Sequence, residues 1–303
     1  MKKLIVKLIL VSCVAILCIS CVGNTQAQLQ PIVVERTPTA GFYSVQPDIP
    51  HGEVVAITYH STTTGGTRRA MVWLPPSFSE ENRYPVMFLL HGIGGDEYEW
   101  LRGGQANVIL DNLYAQNRMV PMIVVMPNGR ATIYEGAVGV EVPERQDAFA
   151  TFEFDLLNDL IPYMEANFPV YTDRYHRAIT GLSMGAGQAL NFGLGNMDTF
   201  AWVGGFSPAP NVRQPAALLP NPQRALELEL LYISNGGDSN LLGNATRTSN
   251  FLNEHNIPHV MRVTPGGVHD FVEWRANLYR FSQMLFRPVD PAVIEAINAL
   301  DPL

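Results

Sequence analysis

Cysteine is absent after residue 21. The three cysteines of the chain are Cys13, Cys18 and Cys21. The rest of the chain therefore has no disulfide, no thiolate nucleophile and no cysteine ligand for a metal. Positive charge is also scarce, since 20 Lys and Arg stand against 28 Asp and Glu, with a net charge of −8. Nucleic-acid binding needs concentrated positive charge, so a nucleic acid is not an expected partner.

The first 27 residues have the composition of an export signal. Two lysines follow Met1, residues 4–19 are mostly apolar, and small and polar residues continue to Ala27. This pattern is typical of a cleaved signal rather than a membrane span. Residues 25–27 form a small-x-small cleavage site, and Cys21 is an alternative site for a lipid. We therefore expect an exported protein, periplasmic or secreted, or a lipoprotein that meets the membrane only through Cys21.

The remaining chain is interpreted as a linker or strap over residues 28–50 and one catalytic domain over residues 51–303. Residues 54–59 and 69–74 flank a turn-rich segment, which predicts an antiparallel hairpin. Short apolar runs then alternate with helical patterns, as in an α/β doubly wound and mostly parallel sheet. The predicted strands are residues 86–90, 122–126, 178–180, 200–206, 229–234 and 260–263. The main predicted helices are residues 106–117, 148–167, 184–194, 272–286 and 291–300.

The sequence Gly181-Leu182-Ser183-Met184-Gly185 lies between a predicted strand and a predicted helix. This Gly-x-Ser-x-Gly pattern is typical of a nucleophile elbow, a sharp turn that exposes a strained serine between small neighbours. A glycine-rich turn without chemistry is the alternative. The apolar run before Ser183 and the helical pattern after it favour the nucleophile.

A serine hydroxyl needs a base to become a nucleophile near neutral pH, and the base needs an orienting carboxylate. His269 and Asp238 each follow a predicted strand, and the order Ser183, Asp238, His269 is that of α/β-hydrolases. We therefore predict the α/β-hydrolase fold with these three as catalytic residues. The weaker candidates for the base and the acid are His91, His176, His255, His259, Asp198, Glu227, Glu229, Glu254 and Asp270. His91 is assigned a structural role and Asp270 a helix cap.

A tetrahedral intermediate needs backbone donors aimed at its oxyanion. The expected donors are the N–H of Met184, at the start of the helix, and the N–H of Ile93, in the glycine-rich loop after residues 86–90.

Four motifs in this order resemble one known family. They are Leu89-Leu90-His91-Gly92-Ile93-Gly94-Gly95, the serine motif above, Asn235-Gly236-Gly237-Asp238 and Gly266-Gly267-Val268-His269-Asp270-Phe271. Together they resemble the esterase D-like α/β-hydrolases of carbohydrate esterase family one, above all bacterial feruloyl esterase domains. The resemblance implies hydrolysis of hydroxycinnamoyl esters on arabinoxylan or its oligosaccharides, without a cofactor. It carries the nucleophile, acid and base onto Ser183, Asp238 and His269.

The substrate pocket is less well marked. An aromatic acyl group needs an apolar slot with a few polar groups, and residues 131–147 are expected to be an irregular insertion that overhangs it. The candidate lining residues are Gly94, Tyr98, Trp100, Tyr134, Trp202 and Pro210. Acetyl xylan esterase activity on the same residues remains an alternative, and a noncatalytic carbohydrate-binding surface protein is a second. Peptidase or lipase action is possible on this scaffold, but no long apolar lid suggests a lipid substrate.

Overall fold

An eight-stranded sheet forms the centre of the protein. The computed structural model describes Val34, residues 38–132 and residues 142–299. In chain order the strands are β1 (Glu53–Ser61), β2 (Gly66–Leu74), β3 (Val86–Leu90), β4 (Ile123–Pro127), β5 (Arg177–Gly181), β6 (Trp202–Phe206), β7 (Leu230–Gly236) and β8 (Val260–Thr264). Their spatial order is β1-β2-β4-β3-β5-β6-β7-β8. This is the predicted α/β-hydrolase sheet.

The first strands run against the others. β1 pairs with β2 as the predicted antiparallel hairpin, and β2 pairs antiparallel with β4. From β4 to β8 all neighbouring strands are parallel. Parallel strands place their carboxyl ends at one edge of the sheet, so the loops after β3, β5, β6, β7 and β8 meet there.

Helices cover both faces of the sheet. They are α1 (Glu99–Arg102), α2 (Ala106–Ala115), α3 (Val142–Asp155), α4 (Ile161–Asn167), α5 (Met184–Gly195), α6 (Pro215–Leu218), α7 (Leu242–Glu254), α8 (Phe271–Met284) and α9 (Pro291–Ala299). Strand residues alternate between the faces, so Phe88 packs in a core with side chains from α3, α4, α5 and α7. Met87 packs in the second core, with side chains from α2, α8 and α9.

The helix predicted over residues 148–167 begins earlier. α3 starts at Val142, and a π-helical segment at Leu156–Leu160 joins it to α4. Residues 142–147 are therefore helical, which corrects the expected irregular insertion. Pro143 stands in the first turn of α3, where its missing N–H has no helical partner to lose. Residues 133–141 lie outside the described part of the chain.

The segment before β1 lies against the domain like a strap. Phe42 is buried, with its ring 4.7 Å from that of Tyr279. Its carbonyl accepts a hydrogen bond of 2.6 Å from the side-chain amide of Asn112. These contacts hold Phe42 against α2 and α8. Within the described residues, no helix has the length and apolarity needed to cross a membrane.

Candidate active site

Ser183 lies on a sharp turn between β5 and α5. Its φ of 53° and ψ of −115° are unusual for a residue with a side chain, and such strain typically costs about 1–3 kcal/mol. The turn needs its glycines. A Cβ on Gly181 would lie 2.7 Å from backbone atoms of Gly185 and Leu90, and a Cβ on Gly185 would lie 2.5 Å from the His91 carbonyl oxygen. The elbow geometry predicted from Gly-x-Ser-x-Gly is therefore present.

His269 faces this serine from the loop after β8. Its Nε2 lies 3.0 Å from Ser183 Oγ, within hydrogen-bond reach. Burial lowers the pKa of His269 below its usual value of 6.5, against the opposing effect of the Asp270 carboxylate. The imidazole is thus neutral at neutral pH, and Nε2 can take the serine proton. The ring stands edge-on to Trp274, with centroids 4.9 Å apart.

Asp238 lies beside the histidine loop but does not contact the imidazole in this structure. Its backbone N–H donates to the Gly267 carbonyl oxygen at 2.9 Å, yet its side chain is exposed. Within the described residues, the buried Nδ1 of His269 has no hydrogen-bond partner. The structure therefore brings Ser183 and His269 together and leaves Asp238 on the adjacent loop, turned to solvent.

Three of the other candidate residues have separate partners. Asp270 caps α8, as predicted, because its carboxylate accepts from the N–H groups of Val272 at 2.9 Å and Glu273 at 3.1 Å. His259 is buried against Ser249, with Nε2 2.7 Å from the hydroxyl. His176 pairs with Asp173 just before β5, at the far edge of the sheet.

The loop after β3 supplies the predicted oxyanion donor, Ile93. Nδ1 of His91 donates to the Gly92 carbonyl oxygen at 2.7 Å, and Nε2 accepts from the Gly129 N–H at 2.7 Å. Burial lowers the pKa of His91 to about 4, so the ring stays neutral and both bonds persist. The second predicted donor, Met184, is the first residue of α5. Its N–H belongs to the helix start, where backbone donors are free.

The prediction that Trp202 and Trp100 line the pocket is wrong. Trp202 begins β6, and its indole N–H donates to the Tyr175 carbonyl at 2.8 Å. The site lies at the other end of that strand, where Phe206 accepts from the Ser183 N–H at 3.0 Å; four residues of strand separate the ends by about 13 Å. Trp100 is only 1% exposed and donates to the Leu90 carbonyl at 2.9 Å, so it supports the loop from behind.

Other pocket predictions stay open. A Cβ on Gly94 would meet nothing within 4 Å, so this position borders open space. Pro210 is exposed on the loop after β6, and Tyr98 is half-buried with the Arg102 guanidinium 5.4 Å from its ring centre. Tyr134 lies outside the described residues.

A small apolar cluster beside the nucleophile was missed. Phe149, Met184 and Ala209 pack together with the half-buried Leu241, apart from both main cores. Helical spacing had assigned Phe149 to the core stripe of its helix. The sequence gives little indication that Phe149 belongs to this cluster, because its members come from four separate segments. In the described residues, no group of three or more His, Cys, Asp or Glu is arranged to hold a metal ion.

Comparisons with known proteins agree with this architecture. The profile of the Esterase family, described as "Putative esterase", matches residues 61–284. An endo-1,4-beta-xylanase/feruloyl esterase of Xylanibacter ruminicola is 30% identical over 256 residues, covering 81% of this chain. This chain spans only 33% of the length of that protein.

Solved structures of a CE1 ferulic acid esterase from the anaerobic fungus Anaeromyces mucronatus are also similar. The substrate-free form is 27% identical with a TM-score of 0.72, covering 88% of this chain and 99% of the fungal one. The form with ferulic acid is 25% identical with a TM-score of 0.72, covering 89% and 100%. The Esterase profile covers most of the chain, and the sheet has the order and strand directions of the α/β-hydrolases. The chain belongs to the Esterase family of α/β-hydrolases, as the sequence motifs indicated.

Proposed function

We propose that this protein is a serine esterase that hydrolyses hydroxycinnamoyl esters, such as feruloyl esters, of plant cell-wall xylan. The observation that carries the proposal is the 3.0 Å contact between Ser183 Oγ and His269 Nε2 on a strained elbow. The similarity to proteins named feruloyl esterase and ferulic acid esterase supports the acyl group. The Xylanibacter protein is also named a xylanase, which supports xylan as the source of the alcohol group of the ester.

The reaction proceeds in two steps. Ser183 Oγ attacks the ester carbonyl carbon while its proton passes to His269 Nε2, and the carbonyl oxygen becomes an oxyanion facing the N–H groups of Ile93 and Met184. The oxyanion collapses, the ester C–O bond breaks, and His269 returns its proton to the departing sugar oxygen. Water then attacks the acyl-enzyme while His269 takes its proton. The bond between the acyl carbon and Ser183 Oγ breaks, His269 returns the proton to Oγ, and the hydroxycinnamic acid leaves.

Asp238 is the proposed partner of the protonated imidazole. Its main chain is tied to Gly267, two residues before the histidine, and His269 Nδ1 is a buried donor without a partner among the described residues. Because a carboxylate on Nδ1 holds the tautomer and stabilises the imidazolium, a side-chain rotation of Asp238 would complete the triad. Asp270 is already engaged as a helix cap and is not available.

The half-buried Leu241, backed by the buried side chains of Phe149, Met184 and Ala209, is the proposed wall of the acyl pocket. The cluster includes Met184, the residue that follows the nucleophile. A planar aromatic acyl group needs apolar side chains around it. Gly94, Tyr98 and Pro210 are proposed as additional lining. An acetyl group is too small to need an apolar wall of this kind, so we favour feruloyl over acetyl esters.

We also propose that the protein is exported, because residues 1–27 have the pattern of a signal. Mass spectrometry of the protein purified from its native cells tests this. A mature chain beginning near Gln28 indicates a secreted or periplasmic protein, whereas a diacylglycerol-modified Cys21 indicates a lipoprotein. An intact Met1 would contradict export.

The enzymatic proposal is tested with methyl ferulate and the Ser183→Ala variant. We expect the variant to fold and to lose activity by a factor of about 10⁵ or more, and a fluorophosphonate to label the wild type only. Hydrolysis of methyl ferulate by the variant at the wild-type rate would refute the proposal. Preference for acetylated over feruloylated xylan would replace the acyl assignment, and binding to xylan without labelling would indicate a noncatalytic protein.

A further inference from the structure

Glu99 contacts the oxyanion loop without belonging to it. It is the first residue of α1, and its Oε2 accepts a hydrogen bond of 2.6 Å from the Gly92 N–H. Its carboxyl group also lies against Gly95, where an added Cβ would come within 2.4 Å of Oε2. Burial raises the pKa of Glu99 above its ordinary value. A half-buried carboxylate on a backbone N–H next to the nucleophile needs an explanation.

Gly92 lies between Glu99 and the nucleophile. A Cβ built on Gly92 would lie 3.5 Å from Glu99 Oε2 and 3.5 Å from Ser183 Cβ, and 2.7 Å from a methyl carbon of Leu182. A side chain does not fit at this position, so glycine is needed. Glycine has no Cβ to restrict its φ and ψ torsions, so its backbone is unusually free. Its position in contact with the nucleophile requires that this freedom be removed by other groups.

The peptide after Gly92 is held from one side. Its carbonyl oxygen accepts from His91 Nδ1 at 2.7 Å and from the Gly95 N–H at 3.1 Å. A trans peptide is planar, so its N–H points opposite to its C=O. Holding the Gly92 carbonyl therefore sets the direction of the Ile93 N–H, the predicted oxyanion donor.

The peptide before Gly92 is held by Glu99. With the carboxylate on the Gly92 N–H and the two donors on the Gly92 carbonyl, both torsions of the glycine are constrained. The bond to Glu99 adds to the hold on the Gly92 carbonyl, because without it the second peptide is kept in place only by the two bonds to its own oxygen. A donor to an oxyanion must be aimed before the reaction begins to contribute fully.

We propose that Glu99 is a positioning residue of the oxyanion hole: it fixes Gly92 so that the Ile93 N–H faces the tetrahedral intermediate. The proposal rests on the oxyanion role of Ile93 in the proposed function. It needs the hydrogen-bond acceptor of Glu99 rather than its negative charge, which would oppose a developing oxyanion nearby. Gln, which has an acceptor oxygen of the same reach, should therefore substitute for it, and Ala should not.

The test compares Glu99→Ala, Glu99→Gln and Asp96→Asn with the wild type. Asp96 is the matched control, since its carboxylate lies in the same loop but accepts from Tyr98 and Arg102 rather than from Gly92. For methyl ferulate, we expect Glu99→Ala to lower kcat about 10-fold with little change in KM, because a misaimed donor costs less than the hundredfold loss of a whole one. Glu99→Gln should stay within about threefold of the wild type on the same grounds, and Asp96→Asn should be unaffected.

A second readout separates aiming from general damage. A trifluoromethyl ketone forms a tetrahedral oxyanion on the serine, whereas the product ferulate does not. In Glu99→Ala the inhibition constant of the ketone should rise in proportion to the fall in kcat/KM, and that of ferulate should not change. Wild-type activity in folded Glu99→Ala, equal weakening of both inhibitors, or failure of Gln to restore activity would overturn the proposal.

If Glu99→Ala does not fold, Glu99→Asp replaces it, because the shorter side chain withdraws the acceptor from Gly92. Glu99→Asp at the wild-type rate would then refute the role. Ser183→Ala is measured in parallel. If it stays active, the proposed function fails; if it is inactive while the Glu99 variants match the wild type, only this inference fails.

Discussion

The two halves of the site differ in how firmly they are held. On the oxyanion side, the loop after β3 is fixed by His91, by Glu99, by the Trp100 indole on Leu90 and by Arg130, whose guanidinium donates to the Gly95 carbonyl at 2.5 Å. On the acid side, His269 Nδ1 has no partner within the described residues. The loop that carries the proposed oxyanion donor is thus held by several contacts, while the proposed charge partner of the imidazole is not hydrogen-bonded to it.

The anchoring of the oxyanion side extends far into the core. Arg68 of β2 forms an ion pair with Asp155, with Nε and Oδ2 3.1 Å apart, and neither side chain is more than 1% exposed. Arg68 also donates to the Arg130 carbonyl at 2.8 Å. The loop of residues 128–130 therefore links a buried charge pair to the oxyanion loop. Removing one partner of such a pair is strongly destabilising, because it leaves a buried charge unpaired.

The largest expected effect tests the loosely held half. If Asp238 turns onto His269 during turnover, Asp238→Asn should lower kcat by about a thousandfold or more, because the imidazolium loses its charge partner. Asp270→Asn is the matched control on the other side of the histidine. It should leave both stability and activity nearly unchanged, because Asn caps a helix about as well as Asp. Steady-state kinetics and urea unfolding measure both, and equal activity of Asp238→Asn and wild type would remove Asp238 from the mechanism.

A smaller effect is expected from the oxyanion donor itself. Ile93→Pro deletes the backbone N–H and should lower kcat about a hundredfold or more. Ile93→Ala keeps the N–H and removes a side chain that is 43% exposed, so it should behave like the wild type. Kinetics with methyl ferulate distinguish the two variants. Equal loss in both would mean that the side chain of residue 93, not its N–H, matters.

The acyl wall should change selectivity rather than rate in general. Leu241→Ala should lower kcat/KM for methyl ferulate by roughly tenfold, the scale of a lost contact in an apolar pocket, and leave an acetyl ester unaffected. Leu242→Ala removes an equal side chain from the next residue, which is not part of the cluster. The ratio of the two substrates is the measurement. A parallel loss on both esters would count against an acyl-specific wall.

A different kind of effect, on folding rather than on rate, concerns the pH dependence of stability on the firmly held side. The pKa of His91 is about 4 in the folded protein and near 6.5 in the unfolded chain. The unfolded state therefore gains protons first, and the free energy of unfolding should decrease as the pH falls through this window, by about 3 kcal/mol. His91→Gln should flatten that slope in urea titrations. An unchanged slope would assign it to other groups, such as buried His259.

Much of this fold was readable from local patterns. The apolar runs that predicted β3 and β7 are fully buried strands, and the small residues around Ser183 predicted the elbow because no larger side chain fits there. The sequence does not predict the start of α3, because Pro143 is unfavourable inside a helix and is tolerated only in its first turn. The burial of Trp100 and Trp202 was also missed, because sequence does not show which end of a strand or which face of a loop an aromatic ring occupies.

The site was predicted to the level of its loops but not of its side-chain contacts. Strand ends place His269 and Asp238 at one edge, but the exposed rotamer of Asp238 depends on packing between two loops. The link from Glu99 to Gly92 joins residues seven apart through a short helix. No periodic pattern marks such a contact, so only coordinates can show it.

The most direct test of the account is to trap the acyl-enzyme. 4-Nitrophenyl ferulate is mixed with the enzyme and quenched in acid within the first turnovers, and the protein is digested for mass spectrometry. The account predicts a feruloyl group on the peptide that contains Ser183, and none in Ser183→Ala. Steady turnover with the acyl group on another residue, or with no covalent adduct in the wild type while the substrate is hydrolysed by Ser183→Ala, would contradict it.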